Sequence, residues 1–244
     1  MLTFLINTIK IVFLLGILVF IHEGGHFIVA KLCKIKVNEF SIGFGKIIYS
    51  KKYKDTTYEL RLIPLGGFVK LEGEETPSEE KGSFSKAKIW QKILIVAAGG
   101  LINIVFAILV FFFLVLFYYR YPFIETLKIT GKYAYSIIET IKILFSGNIG
   151  VNEMVGPVGI SNIVIQTTDL ANYIYLLSAV SLSLGITNLL PVPPLDGGKI
   201  LIYIIEAIRK KPLKQETEVA IQMTGFICII ALSIFVFIND IGRI

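Results

Sequence analysis

The chain has 244 residues, 55% of them hydrophobic and 17% charged, with a mean hydropathy of +0.74. This balance excludes an ordinary soluble domain and a disordered chain, and it marks a polytopic membrane protein. The formal net charge of +6 does not point to nucleic acid, because the basic residues are spread through loops, as expected beside an anionic membrane surface.

Residues 1–33 are the first predicted span, an apolar run from about Leu2 to Leu32 that is too long for a cleaved signal peptide. Within it, Ile21–Ala30 reads IHEGGHFIVA and carries His22, Glu23 and His26 as H-E-x-x-H. Residues four apart share a helix face, so His22 and His26 point the same way. Two imidazoles so placed can hold Zn²⁺, with Glu23 beside it as general base. H-E-x-x-H also arises by chance. Against chance, ionisable groups in hydrocarbon are costly and usually line a protein interior or a wet cavity. Both histidines of the chain lie in the motif, so a third protein ligand must be a carboxylate or a cysteine. Cys33, about two turns after His26, is a free thiol or a minor metal ligand, and it forms no CxxC pair or disulfide framework with Cys228. Gly24 and Gly25 either weaken the helix or permit another backbone to approach.

Residues 34–92 form a β region and a mobile loop. Ile35–Leu71 alternates apolar and polar residues, with breaks at Asp55-Thr56 and Gly66-Gly67, and predicts short strands or hairpins. Two readings stay open: an amphipathic surface loop, or a small sheet whose edge pairs with an extended substrate. Gly73–Lys88 is polar and carries no identifiable chemistry. After an interfacial turn at Ile89–Lys92, residues 93–119 form the second span, in which Gly99, Gly100 and Asn103 make a small-residue face. Asn103 serves helix packing or faces the site. Residues 120–172 read as a short external connector, an interfacial amphipathic helix at Lys132–Ser146 carrying Tyr133, Ile137, Ile141 and Leu144 on one face, and a turn or re-entrant piece at Val155–Ile160.

The third span, residues 173–211, is broken by Asn188–Gly198, NLLPVPPLDGG. Such irregular backbone at membrane depth is tolerated only where it is buried in protein or lines a cavity. Asp196 lies there, either as a surface residue of a helix-ending loop or as the missing third zinc ligand. Residues 212–244 hold the fourth span. The fold class is therefore membrane α-helical, with about four transmembrane helices and a small membrane-associated β region between the first two. Of the 24 lysines and arginines, 18 fall in residues 31–92 or 199–214. The positive-inside rule places both segments in the cytoplasm, and with them the ends of the spans that carry His26 and Asp196.

These motifs, taken together and in order, resemble the site-2 protease family of intramembrane zinc metalloproteases, and within it the RseP-like branch. The residues that carry the likeness are His22-Glu-Gly-Gly-His26, Pro64-Leu-Gly-Gly-Phe-Val-Lys70, Ala98-Gly-Gly-Leu-Ile-Asn103, Gly156-Pro-Val-Gly-Ile160 and Asn188-Leu-Leu-Pro-Val-Pro-Pro-Leu-Asp-Gly-Gly198. The likeness implies Zn²⁺ held by His22, His26 and Asp196, Glu23 as the catalytic acid/base, and Asn103 and Asn188 as residues that position substrate. Gly100 stands where the family usually has proline, and Gly24 where a bulkier residue is common. Between Tyr119 and Lys132 the branch carries one or two PDZ domains, thought to filter substrates by size. Here about a dozen residues leave no room for one. The implied activity is endopeptidase cleavage of transmembrane segments of single-span substrates, of the anti-sigma-factor or signal-peptide type, already trimmed by another protease. The implied place is the bacterial inner membrane, with the lipid bilayer as surroundings, an active site near the cytoplasmic side and no nucleic-acid partner. The rival reading is a zinc-binding membrane scaffold or adaptor without turnover, in which Glu23 is expendable.

Overall fold

The computed structural model describes residues 2–146 and 156–242. Val155, the first residue of the predicted turn or re-entrant piece, lies outside them, as do Arg243 and the side chain of Leu144. Among the described residues, four helices are long and apolar enough to cross a membrane: Leu2–Leu32, Ile89–Tyr118, Leu170–Asn188 and Gln215–Ile241. We label the helices α1 (Leu2–Leu32), α2 (Ile89–Phe113, continued by a π turn to Tyr118), α3 (Phe123–Ser146), α4 (Pro157–Gln166), α5 (Leu170–Asn188), α6 (Asp196–Arg209) and α7 (Gln215–Ile241). The strands are β1 (Val37–Tyr53) and β2 (Thr56–Leu71).

Helices α1, α2 and α5 form the frame. Small residues let them approach closely: a side chain at Gly25 would strike the Ala98 carbonyl, and one at Gly100 would strike Leu189 and the Gly185 carbonyl. Gly24 faces open space, so close approach accounts for only one of the two glycines in the motif. Two buried serines of α5 donate to carbonyls of α2, Ser178 to Ala107 at 2.8 Å and Ser181 to Asn103 at 2.9 Å. In the N-terminal half of α1 and at its middle, Leu14 and Leu18 pack on Val164 of α4. There Lys10 Nζ donates to the Thr167 carbonyl and Tyr173 donates to the Lys10 carbonyl.

The β region is a small antiparallel sheet of two long, bent strands joined at Lys54-Asp55. Glu39–Ile42 lie between two neighbours, 67–70 on one side and 57–60 on the other, so the segment ending at Leu71 is one edge of the sheet. The sheet is tied to α1 by Lys31, which donates to Thr56 Oγ1, while Thr56 donates to the Val37 carbonyl. Asn38 donates to Glu72 at 2.8 Å, and that bond holds the Glu72 carboxyl below its ordinary range. Ala30, Ile35, Val37, Leu71, Phe84, Ile95, Val96 and Tyr203 close into one core beneath the sheet.

Several boundaries differ from those the residue pattern predicts. Ile89–Lys92 is the first turn of α2, begun by Gln91 Oε1 accepting from the Lys88 amide. The connector after Tyr121 is already helical at Phe123, because Gly131 sits inside α3 rather than ending it. The apolar side of α3 packs along α2 and α5: Tyr133 stacks on Phe111 at 4.1 Å and bonds Ser178 at 2.8 Å. Only Tyr119–Pro122 separate the π turn from α3, so no PDZ domain stands there. The third span ends at Asn188, and beyond the break the chain forms a separate helix, α6.

Candidate metal centre

His22 and His26 lie on α1 one turn apart, and their Nε2 atoms are 3.3 Å from each other. Asp196 comes from the other side of the molecule in sequence. After α5 the chain makes a tight turn through Leu190–Leu195, and Leu195 is extended just before α6 begins. Side chains at Gly197 or Gly198 would strike the backbone of that turn, so glycine is required at both. The result is that Asp196, first residue of α6, places Oδ2 3.2 Å from His22 Nε2 and 3.4 Å from His26 Nε2.

These spacings match a metal. Tetrahedral zinc with ligands at about 2.0–2.1 Å separates any two donor atoms by roughly 3.3 Å. All three observed separations lie within a tenth of an ångström of that value. Asp196 Oδ2 is buried and accepts no hydrogen bond from the described residues. A buried carboxylate oxygen normally has a partner, and a cation between it and two imidazoles would be one. His26 Nδ1 lies 2.8 Å from the Ile95 carbonyl. A carbonyl only accepts, so Nδ1 carries the proton and the Nε2 lone pair faces the cluster, as a metal ligand requires.

Glu23 lines a cavity of about 180 Å³ together with both histidines and Asp196. Another wall is Gly67–Val69 and Leu71 from the edge of the sheet. Both glycines of Pro64–Lys70 have a reason in this geometry. Gly66 has φ +110°, a conformation L residues rarely adopt, and faces the Phe44 ring. A Cβ at Gly67 would stand 3.0 Å from Glu23 Cγ and 2.7 Å from the Ser41 carbonyl. Behind the two imidazoles, on α2, any side chain at Gly99 would overlap the His26 and His22 rings.

The two asparagines that the resemblance implies position substrate fare differently. Asn103 is fully buried and lies behind His22, outside the cavity lining, with its amide nitrogen 3.4 Å from His22 Nδ1. Asn188, the last residue of α5, is half-buried and does not line the cavity. Cys33 is a free, half-buried thiol packed beside the core under the sheet. Sequence reasoning missed Glu74 and Lys199. They line the cavity and form an ion pair at 2.9 Å between the end of the sheet and α6. Glu74 stood in a stretch without any motif, whereas Lys199 comes directly after the LDGG glycines and could have been suspected.

Residues 10–232, nearly the whole chain, match the model of Peptidase family M50. The chain belongs to peptidase family M50. It is a zinc metalloendopeptidase of the site-2 protease type. Among similar proteins, each named "Putative zinc metalloprotease", one from Fusobacterium nucleatum is 26% identical over 341 aligned positions, covering 99% of this chain and 99% of its own length. One from Clostridium perfringens is 27% identical, covering 92% of this chain and 95% of its own. One from Helicobacter pylori is 44% identical over 112 residues, covering 43% of this chain and 32% of its own. An alignment of 341 positions against 244 residues means that the Fusobacterium relative carries an extra stretch, the size of a small domain, absent from this M50 member.

Proposed function

We propose that this M50 peptidase cuts single-span membrane proteins within or beside their transmembrane segments, of the anti-sigma-factor or signal-peptide type, after another protease has trimmed them. In this reading His22, His26 and Asp196 hold Zn²⁺ and Glu23 is the acid/base. The observation that carries it is the triangle of three donor atoms at 3.2–3.4 Å, spaced as three ligands of one tetrahedral zinc. Bound there, zinc lowers the pKa of a coordinated water and polarises a peptide carbonyl. Glu23, in the same cavity, takes the proton of the attacking water on a carboxylate oxygen and delivers it to the leaving amine nitrogen.

A transmembrane helix hides its carbonyls in internal hydrogen bonds, so the substrate must unwind before it is cut. The edge 67–71 borders the cavity, and its other side already pairs with β1. An extended substrate adding to that edge would lie across Glu23 and the cluster. The basic loops support a cytoplasm-proximal site in the inner membrane.

The test is reconstitution in vesicles with a panel of single-span substrates, with and without a zinc chelator. Glu23→Gln should retain zinc and lower cleavage by at least about a hundredfold. Undiminished cleavage by Glu23→Gln would refute the assigned role. Zinc binding without turnover on any substrate would favour the scaffold reading.

A further inference from the structure

Resting on the zinc reading above, we infer that Asn103 is a positioning residue for His22, acting through the ring's far nitrogen rather than on substrate. His22 can offer Nε2 to a metal only as the tautomer in which Nδ1 carries the proton. That proton needs an acceptor, because the ring is largely buried. His26 has one in the Ile95 carbonyl. For His22 the neighbouring group is the side-chain amide of Asn103, 3.4 Å from Nδ1, at the long end of the hydrogen-bond range.

An amide has a donor end and an acceptor end, and only the acceptor end suits a protonated Nδ1. Asn103 Oδ1 is itself buried with no partner among the described residues. Half a turn about the last side-chain bond exchanges the two ends. It brings Oδ1 onto Nδ1–H and removes the orphaned acceptor in the same step. The backbone at this residue is already fixed, since Ser181 donates to the Asn103 carbonyl at 2.9 Å. Both histidines are then oriented from α2, one by a backbone carbonyl and one by a side chain two helical turns further along. Asn103 is fully buried and outside the cavity lining, so in this structure it does not face the cavity.

The experiment compares Asn103→Leu, close in volume but without an acceptor, with Asn103→Asp, which keeps one. Asn103→Ala, which leaves space in place of the side chain, backs up the leucine variant if that one fails to fold. Zinc affinity is read by competition with a chromophoric chelator, and ligand geometry by the visible spectrum of the Co²⁺ form. Apo-protein thermal transitions report folding. Leu and Ala should lower metal affinity about 10–100-fold, the usual size of such an effect, and alter the Co²⁺ spectrum, with Asp near wild type in both. Wild-type metal affinity in the Leu and Ala variants would overturn the inference, and so would equal loss in Leu, Ala and Asp. Failure of the wild-type chain to bind zinc would instead overturn the functional reading beneath it.

Discussion

The glycines around the cluster are where single atoms decide the outcome. Gly99 gives the His22 and His26 rings the space they occupy. Adding a Cβ must displace one ring or the backbone of α2, and overpacking of this kind costs about 1–3 kcal/mol. Gly99→Ala should therefore lose zinc affinity at least tenfold by chelator competition, whereas Gly24→Ala, which meets nothing within 4 Å, should bind normally. Gly67→Ala acts on the other partner. It crowds Glu23 Cγ and the Ser41 carbonyl, so cleavage should fall while zinc content stays stoichiometric. If both glycine variants lost zinc equally, Glu23 and the ligands would not be separable in this way. Histidine spacing and the need for a third ligand, a carboxylate or a cysteine, could be read directly from the residues. The role of Asn103 could not, because its neighbour across α1 and α2 is 81 positions away, and no spacing rule reaches that far.

At the scale of elements, the cavity lies between the edge of the sheet and the start of α6, and the Lys199–Glu74 ion pair connects the two. Both side chains are mostly buried, so removing one partner leaves the other charge poorly solvated. Lys199→Met is expected to let the edge drift from the cluster, raising KM several-fold while zinc stoichiometry is unchanged. The double exchange Lys199→Glu with Glu74→Lys should recover part of the loss. An unchanged KM in Lys199→Met would show that the edge is held by the core beneath the sheet alone. Alternation and breaks in Ile35–Leu71 made a β region legible in sequence. The pairing of Glu39–Ile42 with two partners was not, because register depends on bends at Gly43 and Gly45, where φ is +90° and +82°. Helix α3 begins earlier than its residues suggest: Tyr121–Gly131 reads as a connector, yet nothing near Gly131 obliges a turn there.

For the whole molecule, the four spans were legible because a bilayer demands long apolar runs, and the break before Asp196 stood out because irregular backbone at such depth is tolerated only where it is buried in protein or lines a cavity. What hydropathy does not encode is which helices touch. The frame is α1, α2 and α5, whereas α7 is largely exposed along its span and is attached at few points, among them Asp240, which accepts from the Gly156 and Gly159 amides of the α4 start. The proposed sidedness of the assembly rests on charge. Lys31 and Lys34 at the C-terminal end of α1, the whole sheet, and Arg209 to Lys214, from the last residue of α6 onward, all belong to the two basic segments. His26 is within two turns of that end of α1. With Cys33 and Cys228 replaced by serine, Thr76→Cys should react with a membrane-impermeant maleimide only in inverted vesicles, and Tyr121→Cys only in right-side-out cells. Both positions are exposed in the fold, so a failure to label cannot be blamed on burial within the protein. The reverse pattern would put Glu74, Lys199 and the cavity mouth on the outer face, and the substrate would have to be delivered from there.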